Sequence, residues 1–425
     1  MACPTLRISV SGFTLIMSTL LARGFVVLVC GYALYRSGRM AFADTAAAKC
    51  ISCAMHLEPT SELYVARNAI VRDQAGDMSD EVDAELHRAL AMNPRDSRVL
   101  RSLGMRAEGR GDRTRAESYL LQAATVDHTF QPQWALANFY SRTGQPDRLW
   151  PAVHKCLEII EPRGPDRRRI DPEPVYELCW QTTSDARQIL AQVPVRRDML
   201  LPYLQYLVRT GRLDATAEAL PTALALPSIE SDTPIYLDIC DSLLRGNRTA
   251  PAVLVWNHLV AVGGIRSTSL EPERGHLLAN ANFAFPPLGR AFDWQILHDD
   301  KIFVHAGEHF VDLEMARSEK EHFELLSKVM PVVGGRGYRL TWRVDASGLD
   351  FKSREDPGLA LHLFGTTGEL APGCPPFLAA SKTCLFTAPA DASQLRLVLR
   401  YDRPLGGIRL EGTVRLMDFA LELQR

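Results

Sequence analysis

At 425 residues the chain is too long for one ordinary core and suits two or three domains. Lys and Arg total 48 against 50 Asp and Glu, a formal net charge of -2, so no whole-chain field draws in nucleic acid, and no nucleic-acid partner is expected. The basic run Arg167–Arg169 lies in a Pro- and Asp-rich stretch and reads as a solvated loop.

Residues 1–43 read as a signal peptide or a membrane anchor. From Phe13 to Tyr35 the chain is apolar except for Arg23, the stretch Gly24–Tyr35 has the length of a signal-peptide apolar region, and Ala41-Phe42-Ala43 offers a cleavage site. Arg36 and Arg39 follow the apolar run and argue instead for a retained span with its C-terminal side in the cytoplasm. Initiation at Met17 would make Arg23 the leading charge and favour export. The expected location is the bacterial cell envelope, either anchored in the inner membrane facing the periplasm or secreted into the periplasm. Residues 44–57 read as a linker. Within it, Cys50 and Cys53 form Cys-x-x-Cys, but Ala54 stands where haem attachment needs His, which leaves a local disulfide or a transient metal contact with His56.

A period dominates residues 58–265. Leu57-Glu58-Pro59, Met92-Asn93-Pro94, Val126-Asp127-His128 and Ile160-Glu161-Pro162 end at positions 35, 34 and 34 apart. The unit after Pro94 carries Leu103-Gly104, a Gly111-Asp112 turn and Ala116, Leu120 and Ala123; the next carries Trp134, Gly144 and Pro162, with Asn138 in place of the first-helix Gly. Weaker units follow around Gly211 and Gly246-Asn247. These residues resemble the tetratricopeptide family, which implies an α-solenoid of about six helical hairpins, each burying a face on the next. The resemblance also implies a concave groove for protein partners, lined by the first helix of each repeat, with Arg98, Arg101, Met105, Phe139 and Arg142 pointing into it.

After Gly263-Gly264 the helical rhythm gives way to short β-branched and aromatic runs, such as Tyr338, Leu340, Trp342 and Val344 alternating with Arg339, Thr341 and Arg343. Strands are expected over Phe292–Ile296, Lys301–His305, Phe310–Leu313, Tyr338–Val344, Leu359–Phe364, Leu395–Arg400 and Val414–Leu421. Residues 276–425 are thus expected to form an antiparallel β-sandwich or jelly roll. Leu278–Phe283, Gly335–Tyr338 and Met417–Leu421 resemble phrases of carbohydrate-binding-module-like, galactose-binding-like jelly rolls. That resemblance implies a glycan partner, with Trp294 and Tyr401 as contacts through ring stacking. Cys374 and Cys384 flank a loop and could bridge in an exported domain.

His305-Ala-Gly-Glu308-His309 spells a zinc-peptidase string, but that chemistry needs both His on one helical face, and the surrounding residues favour a turn between strands. No nucleophile elbow, phosphate loop or dinucleotide fingerprint occurs. The reading is therefore a multidomain α + β chain with no enzyme activity and no cofactor. It acts as an envelope-associated scaffold that contacts proteins through its groove and the membrane through its N-terminal segment, accessory to surface polysaccharide assembly or export. The alternative is a glycan-binding protein acting through the jelly roll, and the second a metallohydrolase.

Overall fold

A computed structural model describes residues 10–160 (side chains from Arg23), 170–296, 302–316, 320–350, 358–370, 374–379, 382–403 and 409–424. Pro162 and the Arg167–Arg169 run lie outside the described residues. The chain divides into two compact units, Met1–Gly164 and Pro165–Arg425, each described by itself below.

The first unit opens with α1 (Val10–Ala47), followed by the short α2 (Ile51–Leu57). The expected linker is thus largely helical. Ala43, Ala47 and Ala54 are small enough to bring α1 and α2 into contact, and Tyr64 closes the cluster. The Ala41–Ala43 string is consequently packed into helix. Arg36 and Arg39, which looked like topology-setting charges, converge on the buried Glu58 at 3.0 and 2.9 Å. Among the described residues, no helix is long and apolar enough to cross a membrane. Within the described part of α1, the apolar run is Gly24–Tyr35. Its large side chains, including Phe25, Leu28 and Leu34, are exposed.

Three hairpins follow: α3 (Glu62–Gln74) with α4 (Asp80–Met92), α5 (Ser97–Gly109) with α6 (Arg113–Val126), and α7 (Phe130–Arg142) with α8 (Pro146–Ile159). The first three repeated phrases fall where α2, α4 and α6 stop, and Ile160, which opens the fourth, follows the end of α8. Gly111 takes φ +82 at the α5–α6 turn, where its N–H closes on Glu108 O at 2.9 Å, a conformation costly for a residue with a Cβ. Asp96 caps α5 by accepting from Arg98 N at 2.9 Å, and Asp112 caps α6 by accepting from Arg115 N at 3.0 Å.

The second unit holds α9 (Glu173–Thr182), α10 (Ala186–Leu190), α11 (Arg197–Arg209), α12 (Leu213–Leu224), α13 (Thr233–Arg245) and α14 (Thr249–Ala261), then two antiparallel five-stranded sheets. One has the order β1-β4-β9-β6-β7: β1 Gln295–Ile296, β4 His322–Pro331, β9 Gln394–Asp402, β6 Leu359–Gly365 and β7 Gly368–Glu369. The other runs β2-β3-β10-β5-β8: β2 Ile302–Gly307, β3 Phe310–Ala316, β10 Glu411–Leu423, β5 Gly337–Leu349 and β8 Thr383–Thr387. One apolar core joins residues of both sheets. The sequence reading had no strand over most of β4, where Ser327 and Lys328 interrupt the apolar run and a bulge falls between Glu324 and Leu326.

Helices and sheets of this unit are bonded together. The Arg290 guanidinium meets Asp238 and Asp241, both at 2.5 Å, and Asp241 also accepts from Ala291 N at 2.8 Å. Trp256 of α14 packs edge-on against Phe292 at 5.8 Å. Residues 266–275, between the expected solenoid and sandwich, are tied to α14 by Asn257, which exchanges two 2.8 Å hydrogen bonds with the Leu270 backbone.

Candidate interaction groove

The first helices of three successive hairpins, α3, α5 and α7, line a groove of 720 Å³ in the first unit. A first helix packs one face on its own second helix and the next repeat, so its opposite face is left to solvent. From α5 this face presents Arg101, Ser102 and Met105; from α7 it presents Trp134, Asn138 and Arg142. Met78, in the α3–α4 turn, and Met105 form an apolar lining and are 53% and 55% exposed. Trp134 is half-buried and stacks on Phe130 at 5.9 Å. Asn138, also in the lining, donates to Trp134 O at 2.8 Å.

The charges here are unequally engaged. Arg106 is buried and bonds Asp83 at 2.6 Å, Asp73 at 3.0 Å, and the Asp77 and Ser79 carbonyls at 2.7 and 2.9 Å. Burial works to raise the Asp83 pKa, but Arg106 and Arg110 outweigh it and hold the carboxyl below the usual range. Arg142 forms a two-pronged pair with Glu108 at 2.8 and 2.7 Å, and that carboxylate raises the Arg142 pKa. Arg101 has no salt bridge or side-chain hydrogen bond among the described residues.

Of the five residues expected in the groove, Arg101, Met105 and Arg142 line it. Arg98 lies outside the lining and folds back on Asp96 at 2.8 Å; burial works to raise the Asp96 pKa, and Arg98 overrides it. Phe139 is fully buried and belongs to the core, which corrects its placement in the groove. The cause is a slip of register. α5 starts at Ser97 and α7 at Phe130, an offset of 33, whereas the helix-end phrases around them stand 34 apart. One residue is about 100° of rotation, enough to turn a groove position into a core position. With the offset of 33, Arg101 corresponds to Trp134 and Met105 to Asn138, the two residues that the 34-residue spacing missed.

The two expected glycan contacts are also corrected. Trp294 is 0% and Tyr401 1% exposed. Trp294 lies against Phe283 at 5.2 Å and Phe419 at 4.8 Å and donates to Asn280 O at 2.9 Å, while Tyr401 packs on Phe323 at 5.3 Å. Neither ring has a face free for a sugar.

His305 lies on β2, and Glu308 and His309 form the turn into β3, where Gly307 pairs with Phe310 and His309 takes φ +64. Among the described residues, no group of three or more His, Cys, Asp or Glu is placed to hold a metal. Cys374 and Cys384 are bridged, with Cα atoms 4.4 Å apart, and so are Cys50 and Cys53, at 5.3 Å.

No family model and no curated protein matches the chain. Among solved structures it is similar to YrrB, a TPR protein with an unusual peptide-binding site, at 9% identity and TM-score 0.26, over 52% of this chain and 95% of that one. PilF of Pseudomonas aeruginosa matches at 14% identity and TM-score 0.29, over 54% and 94%. The type IV pilus biogenesis factor PilW matches at 12% and 0.27, over 47% and 92%. At such identities and scores the likeness carries no functional argument.

Proposed function

We propose that the chain is a non-catalytic interaction protein whose groove holds an extended segment of a protein partner. One observation carries this reading: the exposed Met78 and Met105 and the half-buried Trp134 lie together beside polar side chains, in a volume within the range of specific ligand clefts. Apolar side chains kept at a concave surface mark a place that another chain covers. The two disulfides support work in an oxidising compartment, and so the cell envelope. The exposed apolar side chains of α1 supply a contact with a membrane surface there. A role beside surface polysaccharide assembly rests on this setting and on the pairing of helical hairpins with a β-sandwich.

The test is peptide selection on the immobilised full chain, followed by Met105→Glu. Because Met105 is largely exposed, this change leaves the fold intact while placing a charge in the lining. Selected peptides are expected to lose at least about tenfold in affinity. Peptides that bind both proteins equally, or no selected peptide at all, would overturn the groove reading.

A further inference from the structure

We infer that the segment held by the groove is acidic, with a carboxylate set on Arg101 and a large apolar side chain beside it against Met105 and Trp134. This rests on the groove being the partner site.

The lining carries three guanidiniums, Arg101, Arg106 and Arg142, against the single carboxylate of Asp73. Two are already committed. All three nitrogens of Arg106 are bonded within the first unit, and its side chain is 2% exposed. The fork of Arg142 is closed on Glu108. Arg101 is the remaining one, half-buried and without a bonded partner among the described residues. Its charge reaches Asp127 only through space, and that carboxylate is itself bonded to Ser97 Oγ at 2.6 Å and Thr129 N at 2.9 Å.

A planar carboxylate matches the guanidinium fork with two parallel charge-assisted hydrogen bonds, which makes it the strongest acceptor that a protein segment can set on Arg101. Arg101 and Met105 are four residues apart on α5, so their side chains rise from the same face about one turn from each other. An acidic residue and an apolar neighbour on an extended chain fit that spacing. A nucleic-acid backbone fits it poorly, because it needs a series of cations and the groove offers one uncommitted guanidinium.

Fluorescence anisotropy with the full chain tests this. The probes are short labelled peptides built on one scaffold with a central Leu or Trp, flanked by Asp and Glu, by Asn and Gln, or by Lys and Arg, together with a labelled oligouridylate. The acidic set is expected to bind at least about tenfold tighter than the neutral set, more weakly as salt rises, with the basic set weakest. Arg101→Ala should bring the acidic and neutral sets level, and Arg101→Glu should place the basic set first. If neutral or basic peptides bind as tightly and Met105→Glu still abolishes binding, the groove reading stands and the acidic inference falls. If the oligouridylate displaces the acidic peptides and binds tighter, the inference falls to a phosphate ligand. If no peptide binds, both fall.

Discussion

Gly104 of α5 stands so close to α6 that a Cβ on it would lie 2.7 Å from Leu120 Cγ and 2.9 Å from its Cδ2. Leu120 is buried and cannot swing aside. Replacing a helix-interior Gly by Ala ordinarily gains about 1 kcal/mol, whereas forcing a methyl into a packed core costs about 1–3 kcal/mol. The overlap is expected to win, so Gly104→Ala should lower the urea midpoint of the full chain. At Gly109 a Cβ would meet nothing nearer than Met78 Cε at 3.9 Å, so Gly109→Ala should leave the midpoint level or raise it. A Gly104→Ala midpoint at or above that of the unchanged protein would refute close α5–α6 packing.

The Arg290 pair with Asp238 and Asp241 predicts how the second unit opens. Burial works to lower the Arg290 pKa and the two carboxylates raise it, so the guanidinium stays charged where α13 meets the residue 277–294 loop. Asp241→Ala removes the partner common to Arg290 and Ala291 N and is expected to cost about 1–3 kcal/mol. Limited proteolysis should then cut residues 266–275 faster than in the unchanged protein, because the segment loses support on its sandwich side. Equal cutting rates would mean that the Asn257 and Trp256 bonds to Leu270 and Thr268 hold it alone.

The Cys374–Cys384 bridge closes a ten-residue separation onto a buried Cys384, beside Leu340 in the β5–β8 ladder. Loop closure of this size restrains the unfolded chain and is expected to contribute about 2–3 kcal/mol. Replacing both by Ser should lower the thermal midpoint, and dithiothreitol should then have no further effect on the sandwich transition. Mass mapping with thiols blocked during lysis would show two alkylated cysteines if the bridge does not form in the cell.

Much of this was legible in the sequence, and the failures have physical causes. Pro59, Pro94 and Asp127 mark helix ends because a helix that has buried its face must stop before the next repeat can stack. The period located α3 to α8 but not the faces of their helices: a helix read one residue out of step rotates a third of a turn, which is how Phe139 was misplaced and Trp134 missed. In the sheets, the burial of Tyr401 was readable, since it continues the parity of Leu395, Leu397 and Leu399. β4 was not, because its alternation is broken by Lys328, whose partners lie far away in the chain at Ala279 and Phe292.

Lys328 gives the pH prediction. Its Nζ is enclosed in the sandwich, donates to Ala279 O at 2.5 Å and Phe292 O at 2.7 Å, and lies 4.6 Å from the Trp294 ring centre. Burial pushes its pKa down to about 7, against an opposing pull from the Asp293 carboxylate. The unfolded chain keeps this proton up to about pH 10, so between about pH 7 and pH 10 the unfolded state binds more protons and stability rises with pH. Below pH 7 both states are protonated, the slope vanishes, and the cost of the buried charge is fully present. Across that window the effect is on the order of 4 kcal/mol. Lys328→Met removes the slope but leaves the two carbonyls without their donor, at about 1–3 kcal/mol each. The urea midpoint of the unchanged protein should therefore climb relative to Lys328→Met between pH 7 and pH 10. Parallel curves for the two proteins would show that the ammonium stays charged throughout, held by Ala279, Phe292 and the Trp294 face.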